Sequence, residues 1–462
     1  MDKINLLKSR RAEILAAGES VRKSIAELID ENSFVELAGF SYSRNDFYGE
    51  ELAGEGVVCG FATIDGYPVY VAAQNFNVMR GGISQANCAK ILRCLELANK
   101  NSTPIIYILN SQGVQVGEGV SVLDGLASVL SASARLHGVV PQFSVINGEV
   151  YGQSALFAAN SDFTYFLKDA VLAADSPLVI SAKSGKNISK EKVGGADALN
   201  QTNLVSFAFD SVSEVRCSIS KILSILPDFG GAVVENGADL NKAVLKLNEK
   251  CDGDDLIAAV FDCGDYVEFG KNCASETRCV LGRIGGISAA ALVFDSENGV
   301  NLDEVNVSKI TSLIEFAAYY DLPFVSFVNT LGVRSDLTTN NSLVLKNISK
   351  LMETFELLDN AKISVVYKKA VGLGYTLFAA KSMGFDYTYA FANAQIALFD
   401  GTVGAEVEFS VDAGANKAEL ARRYADEKSD PIHAAKNGAI DNVIEPQFVK
   451  QYLIASLQML LK

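Results

Sequence analysis

The sequence predicts an α/β protein in which one fold is written twice in tandem, and three observations carry that prediction. First, residues 88–114 (CAKILRCLELANKNSTPIIYILNSQGV) and 307–333 (VSKITSLIEFAAYYDLPFVSFVNTLGV) echo each other at a constant offset of 219 (307 − 88). Lys90, Ile91, Glu96, Ala98, Pro104, Asn110, Gly113 and Val114 return as Lys309, Ile310, Glu315, Ala317, Pro323, Asn329, Gly332 and Val333. Leu156-Phe157-Ala158-Ala159 then returns as Leu377-Phe378-Ala379-Ala380, offset by 221, a drift of the size a short loop insertion makes. Second, short apolar runs alternate with segments of helical period, the mark of α/β architecture. Third, 462 residues exceed one ordinary core. The period is too long for a solenoid. Two domains are expected, 1–240 and 241–462.

In the first copy, Leu6, Leu7, Ile14, Leu15, Val21, Ile25 and Leu28 have helical spacing across residues 1–30. Residues 56–61 and 67–71 read as strands joined at an Asp65-Gly66 turn. The Gly81-Gly82 pair precedes a helix over 84–99, and the apolar run 105–109 is a buried strand ending in Asn110-Ser111-Gln112-Gly113. A helix is expected over 119–136, then a strand over 142–146 leading through Gly148 to Gly152-Gln153-Ser154, where another helix starts.

The second copy keeps the order. Strands are expected at 279–285 and 289–294, a helix at 304–320, and a strand at 324–328 ending in Asn329-Thr330-Leu331-Gly332. Helix 342–358 and strand 363–367 follow, and the chain then enters Lys369-Ala370-Val371-Gly372-Leu373-Gly374-Tyr375 at a helix start. Between the copies, residues 228–256 are rich in Gly, Asp and Asn and read as a linker.

Composition narrows the function. A net charge of −15 argues against a nucleic-acid surface, although a few local Lys or Arg residues suffice for a polyphosphate. The N-terminus, MDKINLLKSRRAEILAAG, is charged throughout, so no secretory signal is expected. No apolar run approaches about 20 residues, so no membrane span is expected either. Eight Cys without a CxxC pair, and only His137 and His433 beside them, argue against a zinc ribbon. Buried thiols in a reducing cytoplasm are expected. Histidine-dependent catalysis has just those two candidates.

The informative element is a strand, a glycine turn and a helix start, repeated at Gly152-Gln153-Ser154 and at Gly372-Leu373-Gly374. Glycine lets a ligand approach the backbone, and a helix N-terminus offers unpaired N–H groups at the positive end of its dipole. Such a pocket suits a developing oxyanion, such as a thioester enolate. An ordinary tight turn is the other reading, and recurrence at matching places in both copies favours the pocket.

The motifs around these turns carry a family resemblance. NSQGVQVGEG (110–119) and PQFSVINGEVYGQSA (141–155) are similar to DSGGARIQEG and PQISVI-GPCAGGA. KAVGLGY (369–375) and GFDYTYAFANAQIALF (384–399) are similar to a KAYGGAY turn and GADxxYAWPxAxIAVM, and DPIHAAKNGAIDNVIEP (430–446) to NPYxAAERGxVDDVIEP. From about residue 20 onward the chain resembles the beta-type carboxyltransferases of biotin-dependent acyl-CoA carboxylases and decarboxylases.

The resemblance implies two tandem crotonase-like (ClpP/crotonase) β-β-α superhelix domains, the first on the acyl-CoA side and the second on the carboxybiotin side. It implies that carboxybiotin yields carbon dioxide and that the biotin enolate takes the acyl-CoA α-proton, so no side-chain base is needed. Carried over residue by residue, Gly152 and Gln153 would stabilise the CoA enolate, and Leu373 and Gly374 the biotin enolate. Gly81, Gly82, Gly113, Ser154, Gly372 and Thr376 would line the substrate, with Thr376 where the family tunes acyl selectivity. Biotin would arrive on a separate carrier protein, since no Met-Lys-Met site occurs. A biotin carboxylase or decarboxylase partner and a homo-oligomer, dimer or hexamer, are implied, with pockets where the first copy of one subunit faces the second copy of another.

The departures motivate a second reading, a non-catalytic homologue that scaffolds such a complex. Gln153-Ser154 replaces Gly-Ala, Leu373 replaces Gly, Gln115 stands where Arg is common and Cys88 where His is common. Asn329-Thr330-Leu331-Gly332 replaces a typical DxPG. Other constellations carry paired readings. Arg10, Arg11, Arg22 and Lys23 reach CoA phosphates or form a solvated face. Lys90 and Lys309 read as structural. Lys368-Lys369 meets a carboxylate or is a surface pair. A serine hydrolase built on Ser111 or Ser154 would need His137 as base, and no GxSxG elbow is present. A hydratase would need carboxylates near the first turn, for which Glu149 and Glu118 are the candidates.

Overall fold

Beta-branched and aromatic residues fill two eight-residue runs, Val57–Ile64 and Tyr67–Gln74, which pair antiparallel. Asp65 (φ +48°) and Gly66 (φ +85°) make the turn between them, with the positive φ values that two-residue hairpins need. The Asp30 carboxylate accepts from both turn amides at 2.8 and 3.0 Å, and Arg216 bonds Asp30 and Asp65. The computed structural model describes residues 2–41, 53–199, 202–227, 243–249, 251–409 and 416–461. The chain divides into two compact units, Met1–Leu223 and Ser224–Lys462. The expected domain limit at 240/241 lies outside the described residues.

The strands of the first unit are β1 (Val35–Leu37), β2 (Val57–Ile64), β3 (Tyr67–Gln74), β4 (Ile105–Ser111), β5 (Gln142–Tyr151), β6 (Phe163–Phe166), β7 (Val171–Ala173) and β8 (Phe207–Ala208). They form one sheet in the order β1-β2-β3-β4-β5-β6-β8, with β7 beside β5. From β3 onward the neighbours are parallel, and the strands read as continuous apolar runs because both faces are covered. Helix Gln85–Asn101 starts where the Ser84 side chain accepts from Asn87 N and ends at Ser102, which is left-handed. It buries Cys88, Ile91, Leu95 and Ala98, spaced three and four apart, in the core with Tyr107 and Leu126.

The second unit repeats this plan with β9 (Tyr266–Phe269), β10 (Thr277–Ile284), β11 (Ile287–Phe294), β12 (Val300–Leu302), β13 (Phe324–Val333), β14 (Lys362–Val371), β15 (Tyr387–Phe391), β16 (Gln395–Ala397) and β17 (Asn442–Ile444). Its order is β17-β15-β14-β13-β11-β10-β9, with β12 on β13 and β16 on β14. Register repeats too: Ile105 pairs with Tyr70 and Gln142, and its counterpart Phe324 pairs with Ala290 and Lys362. The α/β class and the doubled fold are therefore present as expected.

Three local expectations need correction. The helical spacing over 1–30 is divided between two helices, Lys3–Ala17 and Glu19–Leu28, because Gly18 closes the first on the Ile14 and Ala16 carbonyls. The strands expected to stop at 146, 328 and 367 run on to Tyr151, Val333 and Val371. Each gains a second short partner beyond its first polar residue, β7, β12 and β16 respectively. The segment 228–256 is not a linker throughout. Asp252 caps helix Gly253–Val260 by accepting from Asp255 N at 2.9 Å, and Asp254 and Asp255 sit in its first turn. Residues 228–242 lie outside the described residues. Among the described residues, no helix is long and apolar enough to cross a membrane.

Candidate active site

Both units build the same turn at the end of their central strand. In the first, Gly113 N donates to Ser111 Oγ at 3.1 Å, and in the second, Gly332 N donates to Thr330 Oγ1 at 3.1 Å. A hydroxyl accepting from the amide two residues on holds the turn locally. Gly113 (φ +109°) and Gly332 (φ +83°) are left-handed, which explains the repeated glycine. Each turn faces the helix start that follows the next strand. A Cβ on Gly113 would sit 3.6 Å from Tyr151 O, and one on Gly332 would sit 3.6 Å from both Leu373 N and Gly374 N.

At the first helix start, Gly152 is left-handed (φ +68°), and a Cβ there would meet no atom within 4 Å. The space before it is open, and only its backbone conformation calls for glycine. Gln153 is exposed, while Ser154 is buried and donates to Ser111 Oγ at 3.1 Å. Ser154 thus holds the helix start Ala155–Ala159 against the end of β4, with its hydroxyl committed to protein. At the second, Gly372 (φ +51°) precedes helix Leu373–Phe378 and donates to Ala397 O at 3.0 Å. Gly374 is required by packing, since a Cβ would lie 2.5 Å from Thr330 Cγ2. Leu373 is 41% exposed beside this turn, and Thr376 Oγ1 bonds back to Gly372 O at 3.3 Å.

The Gly81-Gly82 pair packs against protein. A Cβ on Gly81 would lie 1.9 Å from Asn110 O, and one on Gly82 would lie 2.1 Å from Gln115 Nε2, which donates to Met79 O. These glycines bring their turn against the 110–115 segment, a purpose that accounts for them without a ligand. Gln115 binds that same turn. Arg22 is engaged by Glu36 and Ile14 O, whereas Arg10, Arg11 and Lys23 are exposed. Lys369 Nζ donates to Asn298 O at 3.1 Å, and Lys368 lies over the Tyr367 ring.

Lys90 and Lys309 are structural, as expected. Both are buried, and each donates to two main-chain carbonyls, Gly54 and Val57 in one case, Gly270 and Cys273 in the other. Burial holds the Lys90 ammonium below its ordinary pKa. Cys88, with its thiol pushed up to about 12 by burial and by Glu118, is no nucleophile at neutral pH. Five of the eight Cys are buried, but Cys217 and Cys263 are exposed and Cys251 is half-buried.

The alternative chemistries lose their reagents. Ser111 and Ser154 bond each other, and His137 is engaged by Asn160 at 3.1 Å with Asp162 at 3.8 Å. Glu118 accepts from Gln85 N at 2.7 Å, at the start of a helix. The Glu149 carboxylate takes Lys190 Nζ at 2.9 Å and Gln112 Nε2 at 3.2 Å. Burial raises its pKa, but the bonds from Lys190 and Gln112 outweigh burial, and the net shift is downward. A general base tuned for proton abstraction would be shifted the other way. Sequence reasoning gave no signal for Lys190, which is 41 positions (190 − 149) from its partner.

With this geometry in hand, similarity to known proteins assigns the family. The carboxyl transferase domain family matches residues 16–462. The chain belongs to that family. The methylmalonyl-CoA decarboxylase subunit alpha of Veillonella parvula is 30% identical over 99% of this chain and 96% of its own. The methylmalonyl-CoA carboxyltransferase 12S subunit of Propionibacterium freudenreichii subsp. shermanii is 27% identical over 96% of this chain and 88% of its own. A solved structure of transcarboxylase 12S, described as a hexamer with methylmalonyl-coenzyme A and methylmalonic acid bound, superposes with a TM-score of 0.92. It is 26% identical and covers 99% of this chain and 95% of that one. The expected family and the crotonase-like, two-domain carboxyltransferase fold are thus established, and with them an enzyme of the acyl-CoA carboxyltransferase class.

Proposed function

We propose that this chain is the carboxyltransferase subunit that moves a carboxyl group between biotin, borne by a separate carrier protein, and a short-chain acyl-CoA. The observation that carries the reading is the doubled turn: in both units a hydroxyl-held glycine faces a glycine-bearing helix start. Biotin, when bound, supplies the carboxyl group and the proton acceptor. The chain's own contribution is placement and charge stabilisation. Open space at Gly152 admits a thioester oxygen, and the amides of Gly152 and Gln153 would stabilise the oxyanion formed as the α-proton leaves. The Leu373 and Gly374 amides, which face Gly332, would serve the carboxyl donor's side. Each such donor is worth about 3–4 kcal/mol of barrier. The transferred carboxyl carbon bonds to the substrate's α-carbon in one direction and parts from it in the other, so one site serves carboxylation and decarboxylation.

A biotin carrier and a carboxylase or decarboxylase partner follow from this reading. So does a cytoplasmic homo-oligomer of at least two chains, in line with the hexamer described for transcarboxylase 12S. Light scattering across a dilution series checks the oligomer, and an active monomer alone would refute it.

The direct test is carboxyl transfer from malonyl-, methylmalonyl- and glutaconyl-CoA to free biotin, read by mass spectrometry. Turnover of one ester supports the assignment and names the acyl class. Binding of CoA esters without turnover returns the scaffolding reading, motivated by Gln153 and the exposed Leu373.

A further inference from the structure

Two departures from the family motifs meet in space. Gln112 stands where DSGGARIQEG has its first glycine of the pair, and Glu149 where PQISVI-GPCAGGA has proline. Their side chains bond, Gln112 Nε2 to Glu149 Oε2 at 3.2 Å. The other carboxylate oxygen, Oε1, takes Lys190 Nζ at 2.9 Å. So two side chains from separate segments close on one carboxylate, beside Ser111-Gly113 and three residues before Gly152.

The support behind Lys190 is packed on the sheet. It begins helix Lys190–Gly194, which docks on β7 where a Cβ on Gly194 would lie 2.1 Å from Leu172 O. Val171 bridges Gly195 on one side and pairs with Glu149 on the other. Glu149 is therefore fixed through β7 by backbone and through Lys190 by side chain. Gln112 is also held through its backbone, its main-chain N–H donating to Arg80 O at 3.2 Å.

We propose that Glu149 and Lys190 form a clasp that holds Gln112, and through it the Ser111–Gly113 turn, in the position that carboxyl transfer requires. Lys190 acts through Glu149 and Gln112, as a positioning residue. The kinetic part of this inference rests on the carboxyltransferase reading, and the clasp itself does not. Where the family motif has a glycine and a proline, which offer no hydrogen-bonding side chain, this chain has a side-chain brace. A misplacement of about 1 Å near a reacting centre costs as much as about a hundredfold in rate, so a brace of modest strength has kinetic leverage.

The clasp has a pH signature. The groups facing Glu149 are Lys190, Gln112 and Tyr151, and those facing Lys190 are Glu149, Glu191 and Asp169. Hydrogen bonding and charge from Glu149 raise the Lys190 pKa, and Glu149 itself lies below its ordinary value. The clasp therefore holds above the ordinary carboxylate range and fails as pH falls through the depressed Glu149 pKa. Without Lys190, Glu149 protonates at a higher pH.

The test uses the full-length protein with K190M, E149Q and K190R, and two readouts. Hydrogen exchange of peptides covering 109–115 is expected to quicken about fivefold in K190M and E149Q, the limit for a part-exposed ion pair, with K190R close to wild type. In transfer assays K190M is expected to lower kcat roughly tenfold at nearly constant KM and to move the acid limb of kcat to higher pH. K190R rescues both. Unchanged exchange at 109–115 in both K190M and E149Q would overturn the clasp. Altered exchange with unchanged kcat and acid limb would overturn its role in positioning. Absence of turnover by the wild type would sink the carboxyltransferase reading while exchange still decides the clasp.

Discussion

Ser154 donates its hydroxyl proton to the Ser111 oxygen across 3.1 Å, and the same Ser111 oxygen accepts from the Gly113 amide. One oxygen therefore joins the helix start after β5 to the turn after β4. Geometry at the first candidate pocket depends on this junction, because Gly152 and Gln153 immediately precede Ser154.

Replacing Ser154 with Ala removes the donor and leaves the Gly113 bond in place. Loss of one buried hydrogen bond is expected to cost about 1 kcal/mol, read as a small drop in thermal midpoint. Transfer activity should fall further than stability does, by roughly tenfold in kcat. Equal activity in S154A and wild type would show that the junction does not position the pocket.

Gly152 and Gly374 should respond to alanine in opposite ways. Gly152 has open space around a Cβ but a left-handed backbone, so G152A is expected to cost about 1–2 kcal/mol of backbone strain. Gly374 has no positive φ, but its Cβ would strike Thr330, so G374A forces the helix start away from the 330–332 turn. Overpacking of this kind costs about 1–3 kcal/mol and displaces the Gly374 amide directly. Crystal structures of the two variants would show a shifted helix start in G374A and an unshifted one in G152A.

Acid stability should depend on Asp30. Burial raises its pKa, but bonds from Thr63, Gly66 and Asp65 and the charge of Arg216 outweigh that and lower it. A carboxyl whose folded pKa is depressed contributes stability at neutral pH and loses it as pH falls through that lowered value. D30N should therefore be less stable than wild type at pH 7, with the difference narrowing as pH falls below about 4, the ordinary carboxylate range, and vanishing only below the lowered folded value. Chemical denaturation at a series of pH values checks this. A constant gap at all pH values would contradict it.

Thiol labelling offers a check of the fold itself. Under native conditions a maleimide is expected to modify Cys217 and Cys263, which are exposed, and to spare Cys59, Cys88, Cys94, Cys273 and Cys279, which are buried. Peptide mapping after a short pulse distinguishes the sets. Rapid modification of Cys88, whose pKa is pushed up to about 12, would place it in a different environment.

The doubled fold was legible because its signals are local: apolar runs for strands, helical spacing for Cys88, Ile91, Leu95 and Ala98, and Asp65-Gly66 for the hairpin. The repeat then supplied the register between copies. Strand ends were not legible, since Asn147 and Asn329 look like stops, yet β5 and β13 resume pairing past them after a register shift and gain a second short partner there. Asp252-Gly253-Asp254-Asp255 read as a loop by composition and is a cap by position. At the site, the glycine turns were found from sequence, but the reasons for individual glycines were not. Gly81 and Gly82 serve packing, and Ser154 is spent on Ser111. The Gln112–Glu149–Lys190 cluster depends on long-range pairing through β7, which no spacing rule encodes.

The two buried ammonium groups have a corollary for the repeated sequence. Lys90 and Lys309 each satisfy a pair of carbonyls on the approach to the first long strand of their own unit. Removing either would strand two acceptors in the interior, and because those acceptors are main-chain carbonyls, apolar repacking cannot remove them. Each unit therefore needs a buried donor at this place, which accounts for the recurrence of lysine at matching positions of the two halves.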